Sequence, residues 1–147
     1  MRSRRRLVLL VAIFLLPSLA LARDSHLKLP IKEALATVTA EGRIADDVKL
    51  YFGGQKHPAI ERVILGSVGT NKKTNAFNKS DEEACRWAFL SAILALQARA
   101  RAEGGDAVVE IKSNYRNVPF ASDTEYECGA GALMAGVAFT GKIVKLK

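Results

Sequence analysis

The chain has 147 residues, with 22 Lys and Arg against 15 Asp and Glu, and a formal net charge of +7. That length supports one domain with its own core. The charge misleads as a guide to partners. Arg2, Arg4, Arg5 and Arg6 sit in an N-terminal leader, and without them 18 basic residues face 15 acidic ones, a balance of +3 that creates no electrostatic need for nucleic acid or anionic lipid.

The leader has three parts: those arginines, the ten-residue apolar run Leu7 to Leu16, and the small-x-small site Ala20-Leu21-Ala22. Residues 1–22 are therefore expected to be a signal peptide, with a retained anchor as the alternative reading. Ten apolar residues fall short of the roughly 20 that span a bilayer, so no stable membrane insertion is expected after cleavage near Ala22. No Cys follows the run, which disfavours a lipid anchor. The mature chain of 125 residues is expected in the periplasm or secreted.

Residues 23–45 read as an N-terminal extension with one short helix. Leu27-Lys28-Leu29 is extended before Pro30, Pro30 opens a helix over Ile31 to Ala36, and Glu41-Gly42 breaks it. Residues 46–147 read as a single α+β domain. Asp47 to Phe52 alternates as a half-buried strand, with Val48, Leu50 and Phe52 on one face. Gly53 to Pro58 has turn chemistry, and Ala59 to Val68 resumes as a strand, which predicts an antiparallel hairpin. Gly69 to Lys79 is polar and reads as a surface loop.

Ser80 to Gly105 is the dominant helix. Ser80 and Glu83 form a capping box, Asp81 to Glu83 suit the positive end of the helix dipole, and Gly104-Gly105 supplies the stop. Ala84 to Leu96 is apolar nearly all round, so this helix is expected to be buried on more than one side. Ala107 to Ile111 is a strand running towards Tyr115, Asn117 to Asp123 a loop, and Thr124 to Ala130 a further strand carrying Cys128. Val137 to Leu146 is the last strand, after interruptions at Gly129, Gly131 and Gly136. The expected architecture is α+β: a mainly antiparallel sheet of four or five strands on one central helix, in the order β-β-α-β-β.

Cys85 and Cys128 are the only cysteines. In an oxidising compartment an even count reads as one disulfide, here from the first turn of the helix to a late strand. Two unpaired buried thiols are the alternative. Two distant cysteines supply too few ligands for a metal site, and no metal or cofactor is expected.

Gly66-Ser67-Val68-Gly69-Thr70-Asn71-Lys72-Lys73-Thr74 imitates a phosphate loop, but no Gly directly precedes the Lys and the helix begins only at Ser80. It reads as a solvated basic loop. His57 lies in a Gly-rich turn, and His26 beside the cleavage site on a terminal segment. No Ser sits in a G-x-S-x-G turn, so no catalytic residue is assigned. Lys72, Lys73, Lys79, Arg99 and Arg101 read as a solvated face, or else as a basic surface for an anionic partner. The segment Ser113 to Thr124, with Tyr115, Arg116 and Phe120, offers the aromatic and Arg residues that contact surfaces use. It is the expected binding surface.

Three stretches carry a resemblance: Ser80 to Phe89, the junction Ala102-Glu103-Gly104-Gly105-Asp106-Ala107-Val108-Val109, and Tyr126 to Ala132. Together they resemble a family of small exported proteobacterial proteins of unknown function, often labelled "excinuclease ATPase subunit". The chain has no Walker motif, zinc cysteines or length for that label. More distantly, the helix, the Gly-Asp-Ala-Val turn and the Cys128 strand are similar to the lipoproteins that sense envelope stress for the Rcs phosphorelay. They also resemble small oligomeric proteins named for heavy-metal binding. The resemblance implies an α+β fold, disulfides near Cys85 and Cys128, and a role in the envelope. The leading expectation is an exported non-catalytic binding or envelope-sensing module for a protein or small ligand. The alternatives are a small hydrolase using Asp/Glu with His57 and a self-assembling structural protein, an oligomer in either case being open.

Overall fold

A computed structural model describes residues 23–147, so the expected signal peptide lies outside the described residues. The elements run β1 (Asp24–Pro30), α1 (Ile31–Ala40), β2 (Lys49–Phe52), β3 (Ile60–Asn75), α2 (Asp81–Ala102), β4 (Ala107–Ser113), a 3-10 turn (Tyr115–Asn117), β5 (Glu125–Gly131) and β6 (Met134–Leu146). The fold is α+β, as expected, with a mostly antiparallel sheet packed on α2.

The helix forms where its caps place it. The Ser80 hydroxyl accepts from the Glu83 N–H at 3.1 Å, and at the far end the Gly105 N–H reaches the Ala100 carbonyl at 2.8 Å. Gly104 adopts φ +80°, which a side chain would resist. Ala84, Cys85, Ala88, Phe89, Ala92, Ile93, Leu96 and Ala100 recur at helical spacing and are all fully buried against the sheet. Phe52, Phe89, Tyr126 and Phe139 form the aromatic centre, with ring centroids 4.6–6.3 Å apart. Leu94 stands partly exposed and Trp87 carries Arg43 at 4.6 Å, so α2 has one outward stripe despite its apolar sequence.

Cys85 and Cys128 form the disulfide, with α-carbons 5.9 Å apart and both residues fully buried. That spacing is the ordinary one for the bond. Among the described residues no cysteine is free.

The sheet has six strands rather than four or five, and its order is not β-β-α-β-β. β6 is its spine: β3 pairs along one flank, while β5 and then β4 pair along the other. β1 extends the sheet beyond β5 and β2 extends it beyond β4. The stretch around Leu27-Lys28-Leu29 is thus more than an extended lead-in, because it pairs with β5 from Asp24↔Gly131 to Pro30↔Glu125. The expected hairpin of β2 with the next strand does not form. β2 pairs in parallel with β4 instead, and a parallel neighbour needs a long crossover, which β3 and α2 provide. The Gly53–Pro58 segment is not a hairpin turn because its donors go elsewhere. The Gly53 N–H bonds the Ile111 carbonyl, the Gly54 N–H bonds the Asp123 carboxylate, and the Gln55 amide bonds the Asp123 carbonyl.

Gly69 to Asn75 is strand rather than loop. β3 runs 16 residues and pairs with β6 from Val68↔Gly141 to Asn75↔Met134. Thr, Asn and Lys are tolerated there because β3 is an edge strand exposed along much of its length. Strand pairing also commits part of the Gly66–Thr74 backbone to the ladder, so it does not curl into a phosphate cradle.

Candidate functional site

The helix-distal face of the sheet carries the site. One row across four strands reads His26, Gly129, Gly136, Lys73, from the pairs His26↔Gly129, Gly129↔Gly136 and Lys73↔Gly136. Two adjacent glycines lie as a floor between a histidine and a lysine, and the Tyr115 ring covers the first of them, Gly129. Over this floor stands the turn after β4, and the resulting open cleft has a volume of about 520 Å³.

Tyr115 and Arg116 come from that turn. Its ends are pinned by the reciprocal bonds of Ser113 with Phe120 at 3.0 and 2.8 Å, and by the Asn114 N–H to the Ala138 carbonyl at 2.9 Å. Between these anchors Arg116 and Asn117 take left-handed backbone, φ +52° and +62°. Asn tolerates that region; Arg is held there against its preference, and such strain concentrates at functional positions. The Arg116 guanidinium lies 5.1 Å from the Tyr115 ring centroid and donates to Asp24 at 3.2 Å, both partners being well exposed.

Tyr115 stacks on His26 with centroids 4.4 Å apart. His26 Nε2 in turn lies 3.2 Å from Glu127 Oε1, whose side chain is only 8% exposed. The Glu127 N–H donates to the Ser113 hydroxyl at 2.8 Å, which ties β5 to the end of β4. On the open side Lys73, Asn71 and Met134 complete the lining. A second concavity of about 400 Å³ adjoins the first, sharing Asn71, Arg116 and Ala138 and lined by further Asn and Thr residues.

Of the expected contact residues, Tyr115 and Arg116 therefore line the cleft together. Phe120 does not: it is half-buried on the β1 side, under the Lys28 ammonium at 4.1 Å. His57 lies apart from the cleft, with Nδ1 2.8 Å from the Pro58 carbonyl and its ring beside Tyr51. No carboxylate of the described residues forms an ion pair with it. Arg99 and Arg101 are engaged by Glu103 and Asp47 rather than left as an open basic surface. Lys73, one of the residues read as a solvated face or a basic surface, lines the cleft, whereas His26, Glu127 and the two floor glycines were not expected there. The alternation Asp24-x-His26-x-Lys28 was the available signal for His26, since it puts these three on one face of a strand.

No group of three or more His, Cys, Asp or Glu side chains able to hold a metal occurs among the described residues. Comparison with protein-family models, with curated proteins and with solved structures finds no match.

Proposed function

We propose that this chain is an exported, non-catalytic binding module that takes a small anionic ligand, or the anionic end of a larger one, in the cleft beside Tyr115 and Arg116. The observation that carries this reading is the strained, doubly anchored turn that holds Arg116 above a glycine floor, opposite Lys73. A planar guanidinium suits carboxylate or phosphate, and a preformed site loses little ordering free energy on binding. Asp24 occupies Arg116 through a single exposed contact, and a stronger anion would displace it. The buried disulfide supports the export half of the reading, because such bonds persist in oxidising compartments.

The test is a titration of the purified chain with inorganic phosphate, citrate and acidic dipeptides, followed by amide NMR. Shifts confined to Tyr115, Arg116, Gly129 and Gly136, and lost in Arg116→Ala, are expected. Shifts that are absent, or unchanged in Arg116→Ala, would remove the proposal.

The hydrolase alternative has one observation in its favour, and it concerns His26 rather than His57. A His ring nitrogen 3.2 Å from a nearly buried carboxylate beside a cleft brings together the residue types of a general base and its orienting partner. Turnover of an ester or phosphoester that disappears in His26→Ala would favour it over the binding module.

A further inference from the structure

Six large apolar side chains stand exposed among the described residues, and three of them gather at one corner: Phe77 (59%), Leu133 (65%) and Met134 (49%). Two adjacent turns make that corner, one leaving β3 for α2 and the other joining β5 to β6. They are fastened by the Ala76 N–H to the Leu133 carbonyl at 2.8 Å and by the pairing of Asn75 with Met134. Lys72 and Lys73 precede the corner and Lys79 follows it, its N–H bonded to the Ala76 carbonyl. No carboxylate of the described residues pairs with these three lysines. The nearest acids in sequence are Asp81, Glu82 and Glu83 in the first turn of α2, where Asp81 lies 2.8 Å from Arg23 and all three face the positive end of the helix dipole.

The chain also enters the fold here. Asp24 pairs with Gly131 and the Arg23 guanidinium donates to the Gly131 carbonyl at 3.2 Å, which adds a further cation beside the corner. We propose that the corner is a membrane-docking tip. Phe77, Leu133 and Met134 enter the interfacial layer of a bilayer with anionic headgroups, and Lys72, Lys73 and Lys79 meet those headgroups. Side chains borne on projecting turns suit a fluid surface, whereas a protein partner would have to supply a matching pocket. The modest overall charge does not oppose this, because surface attraction is set by charges within a Debye length, about 8–10 Å, rather than by the total. Met134 also lines the cleft, so docking would hold the cleft at the bilayer surface.

The experiment is vesicle flotation of the chain purified from cells expressing the full sequence, with its N-terminus defined by mass spectrometry. Vesicles of phosphatidylcholine alone are compared with vesicles containing phosphatidylglycerol. Flotation with the anionic vesicles only, weakened by salt, is expected. The triple variant Phe77→Ser, Leu133→Ser, Met134→Ser should bind at least about tenfold more weakly, and each of Lys72→Gln, Lys73→Gln and Lys79→Gln should weaken binding by roughly fivefold. Because Phe77, Leu133, Met134, Lys72 and Lys73 are exposed and Lys79 is only half-buried, circular dichroism should be unchanged. The proposal falls if the wild type does not float, or if the triple serine variant floats equally well, as it would were a retained leader the anchor. It falls too if light scattering shows a dimer that the triple variant dissolves, since the patch would then be a subunit contact.

Discussion

The Tyr115 ring fills the space above the α-carbon of Gly129. A β-carbon there would stand 2.4 Å from Tyr115 Cε2 and 2.7 Å from its hydroxyl oxygen. Gly129 also pairs with both His26 and Gly136, so one residue sets the floor, the stacking partner and the strand register. The stack of Tyr115 on His26 exists because this position has no side chain.

Gly129→Ala should therefore disturb the site before it disturbs the fold. Tyr115 is a half-buried side chain on a turn and can swing outward, so the change should lower stability by about 1 kcal/mol, the mild end of overpacking. The His26–Tyr115 contact should be lost. Ring-current shifts on the His26 imidazole protons would report it. Retention of those shifts would mean that the floor tolerates a methyl group.

His26 is the only ion-pair partner of Glu127 among the described residues. Removing it leaves a carboxylate that is almost entirely shielded from water. His26→Ala should cost about 1–3 kcal/mol, the range for an abandoned buried polar group, as read from urea unfolding. Glu127→Gln, which puts a neutral group of the same shape in the shielded position, should cost less. If His26→Ala were silent, Glu127 must be reaching solvent.

The strength of the long helix was legible because caps, length and apolar content all agreed on Ser80 to Gly105, and the cysteine pairing followed from an even count. Strand partners were not legible. Adjacent alternating stretches suggest a hairpin, yet the donors of Gly53 and Gly54 are taken by Ile111 and Asp123, contacts made across more than 50 residues of chain. Gly69 to Asn75 looked like a loop because an edge strand with solvent beside it can be built from Lys, Asn and Thr. Tyr115 and Arg116 could be singled out as residue types. Their cleft could not, since it arises from register: two glycines on different strands fall side by side only because Gly129 meets Gly136.

Gln97 is a polar residue buried in the apolar helix, and no pattern flagged it. Its Nε2 donates to the Ala45 carbonyl at 2.9 Å and to the Val48 carbonyl at 2.8 Å, fastening the approach to β2 against α2. Gln97→Leu keeps the volume but strands the buried Val48 carbonyl, while Ala45 is exposed and its carbonyl can turn to water. A loss of about 1–3 kcal/mol is expected, together with faster hydrogen exchange around Val48 and Lys49. Gln97→Glu should be worse, because a charge would then be buried without a partner.

Asp47 receives the Arg101 guanidinium at 2.5 and 2.7 Å, and mainly these hydrogen bonds hold its carboxyl below the usual 3.8 against a smaller opposing effect of desolvation. Desolvation would raise Asp106 as well, but the Leu146 N–H and the Lys145 ammonium outweigh it and its carboxyl is also lowered. In the unfolded chain both groups return to ordinary values. Their contribution is therefore complete above the ordinary carboxylate range and is lost as pH falls through it towards the folded values. Urea midpoints should be level near neutrality and decline below about pH 4. Asp47→Asn should make that decline shallower, and an unchanged acid limb in Asp47→Asn would show that this pair is not part of it.

The disulfide joins the second turn of α2 to β5 and closes a loop of 43 residues. In the chain-entropy picture, opening it frees the unfolded state by about 4 kcal/mol. Replacing both cysteines by Ala should lower unfolding stability by roughly that amount, and the cavities left by two sulfur atoms would add to the loss. Because Cys85 and Cys128 are fully buried, reductant reaches the bond only when the structure opens. Reduction by dithiothreitol should therefore be slow in buffer and accelerate sharply with urea. Fast reduction without denaturant would show that β5 lifts from α2 on its own, carrying Gly129 and the cleft floor with it.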